Sequence, residues 1–452
     1  MTSSEIDPLD LAPAQRLASD ALSAAQKAGA DAADAYVSGV RGLSVSVREG
    51  AVEEAEHTEA IDLVLRVFVG GRSALVNVGA SSPLKDAAER AVAMAKVAPP
   101  DESQGIAPKA ELAKEIATDL DLFDGTTPTA DALIERAHAI EEAMRHVPGV
   151  TKSGGASVAA YQSTRTTATT EGFSAGYQTS FHRHYAVAIA GGGTKMERDS
   201  WGSARRHLGD LAPEAEVGRI AGERTVRRMG SEPIPTQTAT VIFEPRSAVQ
   251  FISHLLSAIN GASVARGATF LAEKKGQAVY PKGITVRDNP LKRRGEASRP
   301  FDAEGLAGTP LDLVADGVLQ DFILDLQSAR KLGLTSNGRA ARGSGAPSPS
   351  ATNIEILGGQ GTIDDLIADR GPALLVTDLI GMGANVVNGN YSRGAAGFWY
   401  DGGELVHPVS EVTIAGNLAD MFQNAIFADD APGDYAINAP SIAIEGMTIG
   451  GR

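Results

Sequence analysis

The sequence predicts an α+β protein, an N-terminal region of helices bracketing antiparallel meanders followed by a β-rich C-terminal domain with one prominent helix. Three observations carry this prediction. Apolar residues recur at helical spacing in a few bounded stretches and then switch to period two over longer ones. Fifty glycines punctuate the alternating stretches, as tight turns between strands require. Beyond about residue 233, a strong helical pattern occurs once, among many short alternating runs.

The first helix is expected over 13–28, with Leu17, Ala21, Leu22 and Ala25 on one face and Gly29 to stop it. Stretches 35–37, 43–47, 61–69 and 73–78 then alternate, separated by Gly39, Gly42, Gly50 and Gly70-Gly71. A helix over 83–97 closes the unit. The pattern returns as a helix over 129–145, strands over 153–158, 161–170, 174–189 and 196–203, and a helix over 213–228. These blocks, 13–100 and 125–230, read as one N-terminal α+β region over 1–232 and as a loose structural duplication. Ser231 to Pro235 holds two prolines and reads as a linker. In the C-terminal domain, 233–452, a helix over 245–260 sits among strands over 238–243, 283–286, 311–315, 318–326, 353–357, 373–378, 396–400, 404–408, 410–415 and 441–445. Hairpin turns fall at Asp316-Gly317 and at Asp401-Gly402-Gly403.

Composition narrows the function. The formal net charge is −15 and the basic spots are short, as at Arg205-Arg206-His207 and Lys292-Arg293-Arg294, so no nucleic-acid partner is expected. No apolar run approaches the roughly 18 residues of a membrane span, and Met1 to Leu11 lacks the basic start of a signal peptide. With no cysteine there is neither a disulfide framework nor a thiolate metal site. A cytoplasmic protein that engages no membrane is the expectation.

The search for chemistry begins with an absence: none of the eight histidines is followed by glutamate, so no H-E-x-x-H or H-E-x-x-x-H zinc helix exists. His182 and His184 lie two apart in an alternating stretch and so share a face. They are the weak metal candidates, with Glu171 or Glu197 as a third ligand, against a reading as solvent-facing histidines beside Arg183. Gly172-Phe173-Ser174-Ala175-Gly176 spells a nucleophile elbow, but a strand follows it where a helix is required, so a hairpin turn is the better account. Gly338 to Ser344 has phosphate-loop spacing without the lysine, and Gly191-Gly192-Gly193 opens no helix. On the 245–260 helix the apolar stripe is Ala248, Val249, Ile252, Leu255, Leu256 and Ile259. His254 falls opposite, with Ser247, Gln250 and Ser257, toward a cleft, an interface or water.

One run is more specific than these short motifs. Gly389-Asn390-Tyr391-Ser392-Arg393-Gly394-Ala395-Ala396-Gly397-Phe398-Trp399 leads on to Gly403-Glu404 and then to Pro408 through Leu418. With Ser328 to Leu334, Thr352-Asn353, Thr377 to Gly383, Thr238 to Phe243 and Thr269-Phe270-Leu271, it resembles the TldD/PmbA family. The match runs in order along nearly the whole chain. TldD-like members carry H-E-x-x-x-H on the helix after the first C-terminal strand. An ungapped overlay puts Ser253 and Ala258 at the two histidine positions and His254 at the glutamate. The resemblance is therefore to the zinc-less, PmbA-like branch.

That resemblance implies a non-catalytic subunit whose TldD-like partner holds zinc and cleaves extended or unfolded peptides. It implies no cofactor in this chain, no activity in isolation, and a possible homodimer when the chain is alone. His254, with Tyr391 and Arg393 from the signature loop, is expected to face the shared cleft, where an extended peptide could add to a sheet edge; a purely structural loop-holding role is the alternative for the three. Alternatives for the whole chain are a homodimeric peptide-binding scaffold and an independent hydrolase centred on His182 and His184.

Overall fold

The computed structural model describes residues 7–79, 82–433 and 435–451; the first six residues, part of the stretch read as lacking a signal peptide, lie outside that range. Helix α1 (Leu11–Ala28) starts where the Asp10 carboxylate accepts the Ala12 N–H and ends at Gly29, whose φ of 98° is the left-handed stop. Strands β1 (Ala32–Arg48), β2 (Ala51–Val69) and β3 (Arg72–Val78) follow, then helix α2 (Leu84–Val97). The second run is α3 (Ala130–Arg145), β4 (Val150–Thr169), β5 (Ser174–Ala190), β6 (Glu197–Arg205) and α4 (Glu214–Arg227).

Both meanders belong to one antiparallel sheet of order β3-β2-β1-β4-β5-β6, joined where β1 pairs with β4. Alternation assigns the faces. Ala35, Val37, Val45 and Val47 of β1 all point to the helical side, the first two under α1 and α2, the last two under α3 and α4. Asp34 and Tyr36 point the other way, toward the C-terminal half. Two expected strand breaks are absent. Gly39 and Gly42 lie inside β1 because a Cβ there would stand 1.8 Å from the Pro8 carbonyl oxygen and 2.1 Å from the Tyr161 ring. The stretches 153–158 and 161–170 are likewise one strand, β4. Residues 107–116 pack on the C-terminal-facing side, burying Ala107 and Leu112 with Phe173, Phe301 and Leu326.

The C-terminal half runs β7 (Gln237–Phe243), α5 (Pro245–Ala258), α6 (Gly261–Ala265), β8 (Thr285–Asn289), β9 (Leu311–Ala315), β10 (Val318–Leu319), α7 (Leu326–Leu332), β11 (Ala340–Ala341), β12 (Ser348–Pro349), β13 (Asn353–Leu357) and α8 (Ile363–Asp369). It continues with β14 (Ala373–Ile380), β15 (Asn390–Asp401), β16 (Glu404–Asn417), α9 (Leu418–Gln423), β17 (Ala425–Phe427), β18 (Ile437–Asn438) and β19 (Ile442–Gly450). A six-stranded sheet, β16-β15-β14-β7-β19-β17, and a five-stranded one, β10-β9-β8-β13-β18, share one core with the apolar stripe of α5.

The α+β class and the β-rich C-terminal half agree with the sequence; the count of helices does not. Where one C-terminal helix was expected, α6 to α9 add four of five to seven residues. Side-chain caps start them, Asn260, Asp325, Thr362 and Asn417, and so few residues show no legible 3.6 period. The strand expected over 318–326 stops at Leu319, because Asp325 caps α7. Ser231 to Pro235 is stitched down rather than free: the Glu232 N–H donates to the Pro408 carbonyl at 3.1 Å, and the Ser231 and Ser410 hydroxyls are 2.9 Å apart. Ion pairs tie the halves together, Arg246 to Asp199 at 2.9 Å and Arg224 to Glu244 at 2.6 Å. No helix among the described residues is long and apolar enough to cross a membrane.

Candidate functional site

Pro245 occupies the first turn of α5, where its missing N–H has no intrahelical partner to lose. The Glu244 N–H donates to the Val376 carbonyl at 3.2 Å and ties that turn to β14. Ala248, Ile252, Leu255 and Ile259 are buried as the stripe predicts, and Phe251 joins them. Ser247, expected on the polar side with His254, is buried at 3% exposure because the helix packs among the two sheets rather than on their surface.

Tyr391 and Arg393 lie in strand β15, opposite Gly416 and Ile414 of β16, and not in a loop as expected. Strand period two sends both side chains toward α5. There Arg393 donates through Nη1 to the Gln250 side-chain oxygen, one turn before His254, and through Nη2 to the Leu379 carbonyl at 3.4 Å. The His254 ring meets Tyr391 edge-on, with centroids 5.8 Å apart at 71°. So the three residues singled out from the sequence form one cluster, completed by Gln250. Tyr391 and Arg393 are buried and His254 is half-buried. Within it, His254 Nε2 and Arg393 Nε are buried without a hydrogen-bond partner. Burial, reinforced by the Arg393 charge, pushes His254 down to about 4, so the ring is neutral at physiological pH.

His182 and His184 share a face of β5, and it is the helical face rather than the solvent. Their side chains are 0% and 1% exposed. His182 Nε2 lies 3.5 Å from Asp124, and His184 Nε2 lies 3.7 Å from Glu214. Neither expected third ligand is in place: Glu171 sits in the β4–β5 turn, and Glu197 pairs with Ala190, six residues along β5 from His184. Among the described residues no three His, Asp or Glu side chains gather as a metal site would need. The elbow-like Gly172 to Gly176 is the hairpin turn into β5, as its following strand required.

Burial pushes His182 and His184 down against the pull of their carboxylates, as it does His254. All three are thus neutral in the native chain and protonate more readily once unfolded, near pH 6.5. Stability is therefore full above that pH and is lost as pH falls toward the folded values. The urea midpoint is expected to drop between pH 7.5 and pH 5, and His254→Gln should shrink the drop. A flat profile would contradict these assignments.

A second feature lies along α5. A mainly apolar cleft of about 560 Å³ opens between the C-terminal-facing side of β5 and β6 and the start of α5. Tyr185 walls it on one side, Pro245 and Val249 on the other, with Tyr435 and Ile437 beyond. Two strands bordering it, β6 and β18, are the outer strands of their sheets. His254, Tyr391 and Arg393 do not line this cleft; the cluster they form with Gln250 packs farther along α5. The sequence reading missed the cleft, although Arg183 and Tyr185 carry the parity opposite to His182 and His184 and so must face away from the helices.

Three family models match in order: PmbA/TldA metallopeptidase domain 1 over residues 33–95, the central domain over 123–229 and the C-terminal domain over 236–451. The chain is 34% identical to metalloprotease PmbA of Escherichia coli O157:H7 across 93% of each chain. It is 33% identical to a metalloprotease PmbA homolog of Haemophilus influenzae, over 96% of this chain and 95% of that one. Its fold matches TldE from Thermococcus kodakarensis with a TM-score of 0.83 at 22% identity, covering 96% of this chain and 99% of that structure.

Proposed function

The chain belongs to the PmbA/TldD metallopeptidase family, and from that premise we propose that it is the non-catalytic subunit of a two-subunit zinc protease acting on extended or unfolded peptides. One observation carries the reading. Helix α5 follows the first C-terminal strand, where the zinc-bearing subunits of the resemblance hold their ligands, and it offers Ser253, His254 and Ala258 instead. Ala258 is fully buried, and Ser253 donates its hydroxyl to the Val249 carbonyl at 2.7 Å. These residues do not fit a zinc ion, so no step is assigned to one in this chain.

What the chain contributes is wall and orientation. The apolar cleft and its two outer strands suit an extended peptide, which can take up main-chain hydrogen bonds while its side chains fill pockets. The free nitrogens of His254 and Arg393 offer a neutral imidazole beside a fixed cation. The segment leading into β15 exposes Ile380, Met382 and Val387, an apolar patch next to Arg393 that supports an interface with the zinc-bearing subunit. The proposed compartment is the cytoplasm.

The test is peptide hydrolysis with bound zinc quantified, for this chain alone and after a TldD-like subunit is added. Activity only in the mixture, with zinc tracking the other subunit, is expected; zinc and activity in this chain alone would overturn the reading. Combining His254→Ala, Tyr391→Phe and Arg393→Gln should lower kcat/KM of the mixture about tenfold or more, equivalent to about 1.4 kcal/mol or more. Tyr391 is changed only to phenylalanine because that ring is part of the core. Unchanged hydrolysis with intact assembly would leave the cluster a structural role only. A chain that pairs with itself and ignores the added subunit would favour the homodimeric scaffold.

A further inference from the structure

Where the N-terminal sheet meets the C-terminal half, a half-open pocket of about 50 Å³ gathers three guanidinium groups. Arg165 enters from β4 and is exposed, with Tyr36 of β1 and Tyr177 of β5 beside it. Arg299, Asp302 and Arg342 enter from the C-terminal half. The volume is roughly four times what a single water needs, enough for one small polyatomic group.

The arginines outnumber their acceptors. The Arg342 side chain is 0% exposed; Nη1 bonds to Asp34, Nε reaches the Gly345 carbonyl at 3.2 Å, and Nη2 is buried with no partner. Asp34 cannot do more, because it also binds Arg66 at 2.6 Å. Arg299 gives Nη2 to the Ser350 carbonyl at 2.9 Å, and its Nε is buried and unpartnered. The remaining carboxylate, Asp302, already accepts the N–H groups of Glu304 and Leu306 at 2.9 Å and of Ala340 at 3.1 Å. Four cations, Arg66, Arg165, Arg299 and Arg342, thus face two carboxylates. Burial and the Asp302 and Asp325 charges push the neighbouring Glu304 up, and burial pushes Asp302 up as well. A buried guanidinium N–H without an acceptor is costly to keep.

We propose that this pocket binds a small oxyanion, a carboxylate or inorganic phosphate, held by the unpartnered N–H groups of Arg299 and Arg342 and by Arg165 at the mouth. Planar guanidinium forks match the oxygens of both anions. Such an anion bridges β4 to the 299–303 and 340–342 segments and so strengthens the seam between the halves. The carboxylate could come from free acetate-like anions or from the C-terminus of a bound peptide.

Thermal unfolding of the full chain is the test, in inorganic phosphate, acetate or chloride at one ionic strength. A saturable rise of a few degrees in Tm with phosphate or acetate and not with chloride is expected, as ligand linkage requires. Arg165→Gln, at an exposed position, and Arg299→Gln should each abolish the rise while leaving the anion-free Tm within a few degrees. A short peptide with a free C-terminus that displaces phosphate, where its amidated form does not, assigns the carboxylate to a peptide. Displacement by neither, with the phosphate effect intact, assigns the site to free anions. No saturable rise, or the same rise in both variants, would mean that water fills the pocket and would overturn the proposal.

Discussion

Arg339→Met is expected to destabilise the C-terminal half by about 3–5 kcal/mol, the penalty typical of breaking a buried ion pair from one side. Arg339 is 1% exposed and lies 3.5 Å from the carboxylate of Asp288, itself 0% exposed. Its guanidinium also donates to three main-chain carbonyls: Asn337 at 2.5 Å, Thr309 at 2.5 Å and Asp288 at 3.2 Å. Methionine fills much of the volume and supplies no donor. The carbonyls lose their donor, and Asp288 keeps only the N–H and hydroxyl of Thr352. Adding Asp288→Leu to the same chain should recover part of the loss, because the uncompensated charge goes with it. Denaturant unfolding measures both variants. A loss below about 1 kcal/mol in the single variant would mean that water replaces the guanidinium, against the burial described.

Gly218→Ala should destabilise the N-terminal half by about 1–3 kcal/mol, although alanine is the better helix former by about 1 kcal/mol. The two effects oppose each other, and sterics decide. Gly218 faces α3, where a Cβ would stand 2.1 Å from the Ile140 carbonyl oxygen and 2.9 Å from the Met144 nitrogen. Those are backbone atoms, which cannot swing aside as a side chain could. Gly222, one turn on, meets Val147 at 2.7 Å, so the pair lets α3 and α4 approach closely. Parting the helices would also move Arg224, whose ion pair to Glu244 anchors the start of α5. Helicity and unfolding followed by circular dichroism test this; an unchanged or raised midpoint would refute the close packing.

Much of this was legible in the residues. Period-two runs located β1 to β6, and 3.6-period stripes located α1 to α5, because alternation over many residues averages out local exceptions. The ordered signature from Gly389 to Leu418 pointed to the family, and the missing H-E pair pointed to its zinc-less branch. The polar side of α5 singled out His254, whereas Tyr391 and Arg393 were expected in a loop and lie in strand β15. Elements of two to seven residues were not legible, since neither period completes itself there. Gly39 and Gly42 misled for a related reason: a glycine that breaks a strand and one that lets a neighbour close in are the same letter.

What the sequence determined by itself is therefore what depends on near neighbours in the chain: which stretches are helix or strand, which face is apolar, and that no zinc helix is written here. Only the tertiary structure decided which distant groups share a space. It joined two meanders into one sheet through β1 and β4, put Asp124 and Glu214 beside His182 and His184 in place of Glu171 and Glu197, and drew Arg165, Arg299 and Arg342 to one pocket. Such contacts join groups that lie from tens of residues apart, as His184 and Glu214 do, to more than a hundred apart, as Arg165 and Arg299 do. They follow from how whole faces bury against one another, and no local spacing encodes that.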